Sequence, residues 1–240
     1  MSASNNFEKR PLNKIFTSVP PKYDLVNRLF SLRLDEGWRK MAARECLANN
    51  PPEILDLCTG TGDLAVRLSR QVNGSTRITG LDFSHTMLEE AQVKMEKRGK
   101  GVVDFVHGDA ADMPFKDDHF DTIGIAFAFR NLTFKNPDTP KFLNEILRTL
   151  KPGGRFVIVE SSQPDSKLMK NLLKIYMKGF VKWLGYWISG DKAAYRYFAH
   201  SVVNYYTREE VEKLLLDAGF SSVKSIPLTF GVAAIHVAIK

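Results

Sequence analysis

Along most of the 240-residue chain, short and nearly unbroken apolar runs alternate with segments whose apolar residues recur every three or four positions. The first kind reads as strands buried on both faces, the second as amphipathic helices. Strands are expected at Glu53–Cys58, Thr76–Phe83, Val102–His107, Thr122–Phe127 and Arg155–Glu160. Helices are expected at Asp63–Gln71, Ser84–Arg98 and Thr139–Leu150, the last stopped by the turn Pro152-Gly153-Gly154. This alternation specifies an α/β fold built on a parallel sheet.

The rhythm changes near the C-terminus. A helix at Thr207–Ala218 ends at Gly219, and two apolar runs follow, Ser222–Thr229 and Val232–Ile239, separated only by Phe230 and Gly231. So short a link allows an antiparallel hairpin and no right-handed crossover, so the last strand must run against the others. The expectation is a Rossmann-like, seven-stranded, mostly parallel sheet with an antiparallel C-terminal strand. It forms one domain: residues 53–163 are the cofactor-binding core and 207–240 the C-terminal helix and hairpin. Residues 1–52 make a helical N-terminal extension and residues 164–206 a helical insertion, either of which could cover a pocket at the carboxyl ends of the strands.

Composition narrows the class. With 44% apolar and 25% charged residues the chain reads as a soluble globular protein. The two cysteines, Cys46 and Cys58, form no metal-type CxxC pair. The polar start lacks the apolar stretch of a signal peptide, and no run of about 20 apolar residues could span a bilayer. A cytoplasmic location is expected. The five histidines, His85, His107, His119, His200 and His236, are scattered, so no metal site is expected. A net charge of +7 and an isoelectric point near 9.3 point to an anionic partner, either nucleic acid or a lipid surface.

The first strand runs into a glycine loop, ILDLCTGTGDLAVRL, in which Gly60 and Gly62 let a ligand approach the backbone before a helix begins. The GxGxxA spacing suits a nicotinamide enzyme as well as a methyltransferase, and Asp82 lies where either would hold a ribose. Charge separates the two. Asp56 and Asp63 flank the loop and would repel a pyrophosphate, whereas the cationic groups of S-adenosylmethionine would be attracted. Strand three ends in HGDAADMPF, offering Asp109 and Ala110 to an adenine. FAFRN after strand four and the turn LKPGG complete an ordered set of signals spaced as in Rossmann-like, class I methyltransferases.

These residues resemble the C-methyltransferases of ubiquinone and menaquinone biosynthesis, which include demethylmenaquinone methyltransferases and polyprenyl-benzoquinol methylases. The similarity runs through KYDLVNRLFS at Lys22 to Ser31 with Trp38 and Arg39 following, LDLCTGTGDLA at Leu55 to Ala65, DAADMPFKDDHFD at Asp109 to Asp121 and FAFRNLTFK at Phe127 to Lys135. It continues through LKPGGRFVIVE at Leu150 to Glu160, AYRYFAHSV at Ala194 to Val202 and LTFGVAAIH at Leu228 to His236. The chain departs from the family at Thr59, Ala126 and Ala128, where glycine, serine and glycine are frequent. The resemblance implies methylation of a ring carbon of an isoprenoid quinol, with demethylmenaquinol the favoured acceptor and S-adenosyl-L-methionine the donor. It marks Thr61, Asp82, Asp109 and Ala110 as cofactor contacts; Asp56, Gly60, Gly62 and Phe127 are expected beside them, and Tyr23 and Asp24 in the N-terminal extension are expected to close the pocket.

Such a ring carbon becomes nucleophilic when a neighbouring hydroxyl loses its proton, so an oxyanion must be stabilised. Arg130, just past strand four, is the first candidate, with Asn131 positioning a ring oxygen. Tyr195, Arg196, Tyr197 and His200 on the insertion could line the ring pocket, His200 as a proton carrier. Between Ser166 and Ile188, Lys167, Lys170, Lys174, Lys178 and Lys182 fall on one helical arc beside Leu172, Leu173, Ile175, Tyr176, Phe180, Trp183 and Trp187. This suits a helix lying on an anionic membrane at its inner face, and equally a core-packed helix with a solvated lysine face. A homodimer is left open. Three alternatives stand beside the quinol reading: a methyltransferase acting on another small molecule or on RNA, a nicotinamide dehydrogenase, and a non-catalytic cofactor-binding partner. An RNA target is disfavoured, since neither an NPPY-like tetrapeptide nor an appended binding module is present, and no nucleic-acid partner is expected.

Overall fold

A computed structural model describes residue 28 and residues 30–72, 74–181 and 199–240. Five strands, β1 (Glu53–Leu57), β2 (Arg77–Asp82), β3 (Asp104–His107), β4 (Phe120–Ala126) and β5 (Leu150–Ser161), run parallel. The hairpin of β6 (Ser222–Leu228) and β7 (Ala233–Ile239) extends the sheet to the order β3-β2-β1-β4-β5-β7-β6. β7 is antiparallel to both neighbours, as the two-residue spacing requires. The helices are α1 (Leu34–Cys46), α2 (Asp63–Ser69), α3 (His85–Arg98), α4 (Phe129–Thr133), α5 (Thr139–Thr149), α6 (Lys167–Tyr176) and α7 (Arg208–Asp217).

Local chemistry sets several boundaries. Thr207 caps α7 by accepting from the Glu210 amide while the Glu210 carboxylate accepts from the Thr207 amide, a reciprocal box that satisfies two otherwise unpaired donors. Ser84 caps α3 in the same region of backbone space. The turn Pro152-Gly153-Gly154 does not stop α5. The helix ends at Thr149, and Leu150 is already extended and paired with Phe120, so the Pro-Gly-Gly segment lies inside β5 at a register shift. Pro152 keeps the preceding Lys151 out of helical space, which continues the extended backbone already entered at Leu150. The long basic segment likewise departs from one uniform helix: α6 passes into a π-helical turn at Met177–Val181.

Two apolar layers sandwich the sheet. On one face Leu55, Ile123, Ile125 and Phe156 meet Phe129, Phe142, Ile146 and Leu215. On the other Ile54, Ile78, Val157 and Ile235 meet Ala42, Ala43, Leu64 and Leu68. Gly124 allows α1 this close: a side-chain carbon there would lie 2.9 Å from the sulfur of Cys46.

His236 on β7 is buried, with its Nδ1 2.7 Å from the hydroxyl of Ser225 on β6. Burial pulls its pKa down to about 4, helped by Arg208. The unfolded chain therefore binds a proton that the fold excludes, so stability falls as pH drops from about 6.5 through 4. Urea unfolding of the wild-type chain should lose on the order of 3 kcal/mol more over this window than His236→Gln does. Identical pH profiles for the two would exclude the histidine as the cause.

Candidate functional site

The carboxyl ends of β1, β2, β3 and β4 meet around the glycine loop. Because β1 pairs in parallel with β2, residue 60 arrives beside residue 82, and the Gly60 amide donates to Asp82 Oδ2 at 2.8 Å. The other oxygen, Oδ1, accepts from the Ser84 amide at 3.0 Å. Burial raises the Asp82 pKa, against these same amide bonds. From the third strand end, the Gly108 amide donates to the Asp82 carbonyl, which brings Asp109 and the buried Ala110 alongside. Asp109 Oδ1 accepts from the Ala111 amide at 2.9 Å, forming a tight turn.

Asp56 and Asp63 differ from the sequence expectation. Asp56 is buried, and its Oδ2 accepts from Thr59 Oγ1 at 2.6 Å and from the Ala65 amide at 2.9 Å. Burial pushes its carboxyl up to about 7 despite those bonds. Its task is to pin the loop to the first turn of α2. Asp63 is enclosed by Lys94 at 2.6 Å, Arg28 at 3.7 Å and Arg39 at 4.0 Å. Burial alone would raise its pKa, but these cations outweigh burial and hold it low. The two carboxylates flanking the loop are therefore not an exposed anionic pair. Lys94 also donates to the hydroxyl of Thr61 at 2.8 Å.

Arg28 lies within KYDLVNRLFS and Arg39 follows beside Trp38, both in the stretch that resembles the family, but nothing in that stretch or in α3 marks the two arginines and Lys94 as one cationic cluster. Arg39 is held by Asp35 and stacks 4.8 Å over the ring of Phe127, a residue at positive φ just past β4. Trp38 packs against the same ring and donates through Nε1 to Thr229 Oγ1 at 2.9 Å. Together they bring Phe127 and the β6–β7 link to the glycine-loop side of the molecule.

Arg130 sits in α4, only 6% exposed. Its amide donates to Glu160 Oε2 at 3.0 Å, its Nε lies 3.7 Å from Glu160 Oε1, and its Nη1 donates to Ser201 Oγ. Glu160 at the end of β5 and Ser201 within residues 164–206 thus fix a cation in a low-dielectric setting. Asn131 is half-buried, and its carbonyl accepts from Asn136 Nδ2. His200 is exposed, so Ser201 rather than its neighbour faces Arg130. Tyr23, Asp24, Tyr195, Arg196 and Tyr197 lie outside the described residues, as do Lys182, Trp183 and Trp187. Among the described residues no group of three metal-ligating side chains comes together.

Comparison with known proteins gives a consistent result. The model of the ubiE/COQ5 methyltransferase family matches residues 3–240. A demethylmenaquinone methyltransferase of Thermus thermophilus is 42% identical over 223 residues, covering 93% of this chain and 98% of the relative. One from Staphylococcus saprophyticus is 35% identical over 238 residues, covering 99% and 100%. Among solved structures, a SAM-dependent methyltransferase from Aquifex aeolicus superposes with a TM-score of 0.54 at 22% identity, covering 78% of this chain and 81% of that one. The [4+2]-cyclase SpnF superposes with 0.60 at 20% identity, covering 85% and 81%. The last pair shares a fold across different named reactions, so at such identities structural likeness speaks for the fold alone.

The glycines of the loop should differ in tolerance. Both have positive φ, +54° at Gly60 and +77° at Gly62. At Gly62 a new carbon would also lie 3.0 Å from Ala91 Cβ on α3, whereas at Gly60 nothing lies within 4 Å. Gly60→Ala should therefore cost about 1–2 kcal/mol from backbone strain alone, and Gly62→Ala about 1–3 kcal/mol more from overpacking. Urea midpoints measure both, and equal losses would refute the packing argument.

Proposed function

Because the chain belongs to the ubiE/COQ5 methyltransferase family, we propose that it transfers a methyl group from S-adenosylmethionine to a ring carbon of demethylmenaquinol, giving menaquinol. The observation that carries this reading is the near full-length identity to two demethylmenaquinone methyltransferases.

The residues around the glycine loop fit the donor. The open space beside Gly60 leaves its backbone accessible to a ligand. Asp82 and Asp109 stand at neighbouring strand ends as acceptors for ribose hydroxyls and an adenine amine, with Ala110 beside them. Arg28, Arg39 and Lys94 surround Thr61 and Asp63, a setting suited to a carboxylate. S-adenosylmethionine, when bound, supplies an electrophilic methyl group. Phe127 and Trp38 present apolar surface that excludes water from that side, and Tyr23 closes the site in this reading.

Arg130 acts on the acceptor. A buried guanidinium lowers the free energy of a phenolate beside it, or orients a water that accepts the hydroxyl proton. Glu160 neutralises part of that charge when no acceptor is bound and fixes the direction of the side chain. Asn131 and Tyr195 position the ring, and His200 carries protons to solvent. The acceptor's isoprenoid tail belongs in a membrane, so the reading includes a peripheral encounter with an anionic lipid surface. Among the described residues no helix is long and apolar enough to cross one.

Labelled methyl transfer to chemically reduced demethylmenaquinone, with a demethoxy-type benzoquinol, oxidised quinone and bulk tRNA in parallel, tests the assignment. Label should enter the naphthoquinol. Label confined to RNA, or absent despite cofactor binding, would overturn the reading. Arg130→Ala should lower turnover about 10²-fold or more while leaving cofactor affinity unchanged. Because that change leaves Glu160 buried without its cation, the double variant with Glu160→Gln should regain thermal stability and remain inactive. An active double variant would remove Arg130 from the mechanism.

A further inference from the structure

Helix α6 has three faces. Leu173 and Tyr176 pack on Phe30, Met177, Val202 and Val203. Leu168, Leu172 and Ile175, at i, i+4 and i+7, form a second apolar stripe that is exposed, Leu168 at 68% and Ile175 at 69%. Lys167, Lys174 and Lys178 occupy a third, exposed arc, with Lys170 half-buried beside them. An amphipathic helix that serves only a core needs the first and third faces alone. The second is apolar surface with no described residue over it.

This stripe is not alone. Leu32, just before α1, and Leu34 at its first position are exposed, and so is Phe230 at 79% in the β6–β7 link. Contacts join these segments into one rim. Tyr176 Oη donates to the Phe30 carbonyl at 3.1 Å, Trp38 joins α1 to Thr229, and Gly231 packs against Pro164 just ahead of α6. All three segments lie at the carboxyl ends of the parallel strands, the side that carries Gly60, Asp82 and Arg130. Phe230 is also held at φ +57°, a conformation that keeps a large apolar ring at the tip of a tight link in spite of its steric cost.

We propose that α6, residues 32–34 and the Thr229–Gly231 link form a docking surface for an anionic lipid bilayer, with the catalytic side of the sheet turned toward the lipid. Charge selects this occupant. Exposed lysines flank the apolar stripe, and a chain of net charge +7 is repelled by a second copy of itself but attracted to anionic headgroups. Leucine, isoleucine and phenylalanine then bury their ends at the headgroup boundary while the lysines stay among the phosphates. The surface stands on these contacts; its purpose, delivery of a lipid-soluble quinol, rests on the function proposed above.

Sedimentation of the full chain with vesicles of phosphatidylcholine alone, or mixed with phosphatidylglycerol, tests it. The wild type should partition onto the mixed vesicles, more weakly as salt rises. Lys167→Glu, Lys174→Glu and Lys178→Glu together should lower the partition coefficient by at least about fivefold per lysine. Leu168→Ser, Leu172→Ser and Ile175→Ser together should lower it at an unchanged melting temperature, since these side chains are already exposed. Partition of either triple variant equal to wild type would overturn the proposal. So would serine changes that split a dimer in sedimentation velocity while leaving vesicle binding intact, which would give the face to a second copy. A wild type that methylates a detergent-solubilised quinol but ignores anionic vesicles refutes the surface and spares the function. Vesicle binding without methylation of any quinol supports the surface and refutes the function.

Discussion

One carboxylate organises the catalytic end of this molecule. Asp82 accepts from the amides of Gly60 and Ser84, so the loop after β1 and the start of α3 cannot move independently. That bond exists because β1 and β2 are parallel neighbours in register, and the register follows from burying alternate residues of both strands on opposite apolar layers. Asp56 braces the same loop from below through Thr59 and Ala65. Both carboxylates are raised in pKa by burial, so the loop's geometry is maintained against an electrostatic cost. The backbone is thereby pre-shaped before any ligand arrives, and binding need not include the cost of ordering it.

The order of elements and the sense of the last strand were readable from the chain because each depends on local information: run length, capping residues and a link too short for a crossover. The glycine loop and Asp82 were readable for the same reason. What escaped depends on contacts between distant segments. Asp63 looked like an anion facing a ligand, since nothing in LDLCTGTGDLA announces Lys94 from α3, or Arg28 and Arg39 from the N-terminal side. Glu160 closes the run LKPGGRFVIVE, which by itself marks no task for it. Its task appears only once β4 and β5 pair and bring it to Arg130, 30 residues earlier in the chain. His200 carried the more familiar chemistry, yet helical phase turns Ser201 inward instead.

The pairing of Arg130 with Glu160 contributes little to stability. Removing two ions from water costs several kcal/mol each, and their attraction roughly repays that cost. What the arrangement provides is a guanidinium with little freedom of direction in a medium that screens poorly. Tyr205 shares this environment: burial, reinforced by Glu160, raises its pKa well above the usual phenol range, and its hydroxyl lies 3.1 Å from Thr133 Oγ1. Tyr205 therefore stays neutral beside the pair, and among the described residues the charges at this spot are those of Arg130 and Glu160.

The position of β7 bears on how the chain is made. This strand, Ala233–Ile239, lies between β5 and β6, so residues made after both neighbours fill an interior slot of the sheet. Until they emerge, β5 has one open edge and β6 has no strand to pair with. An unpaired edge of apolar strand is a template for wrong partners, and a nascent chain carries this one from the completion of β5 until β7 is made. A chain that ends before Ala233 keeps the glycine loop, Asp82 and Arg130 but lacks the strand that closes the sheet between β5 and β6.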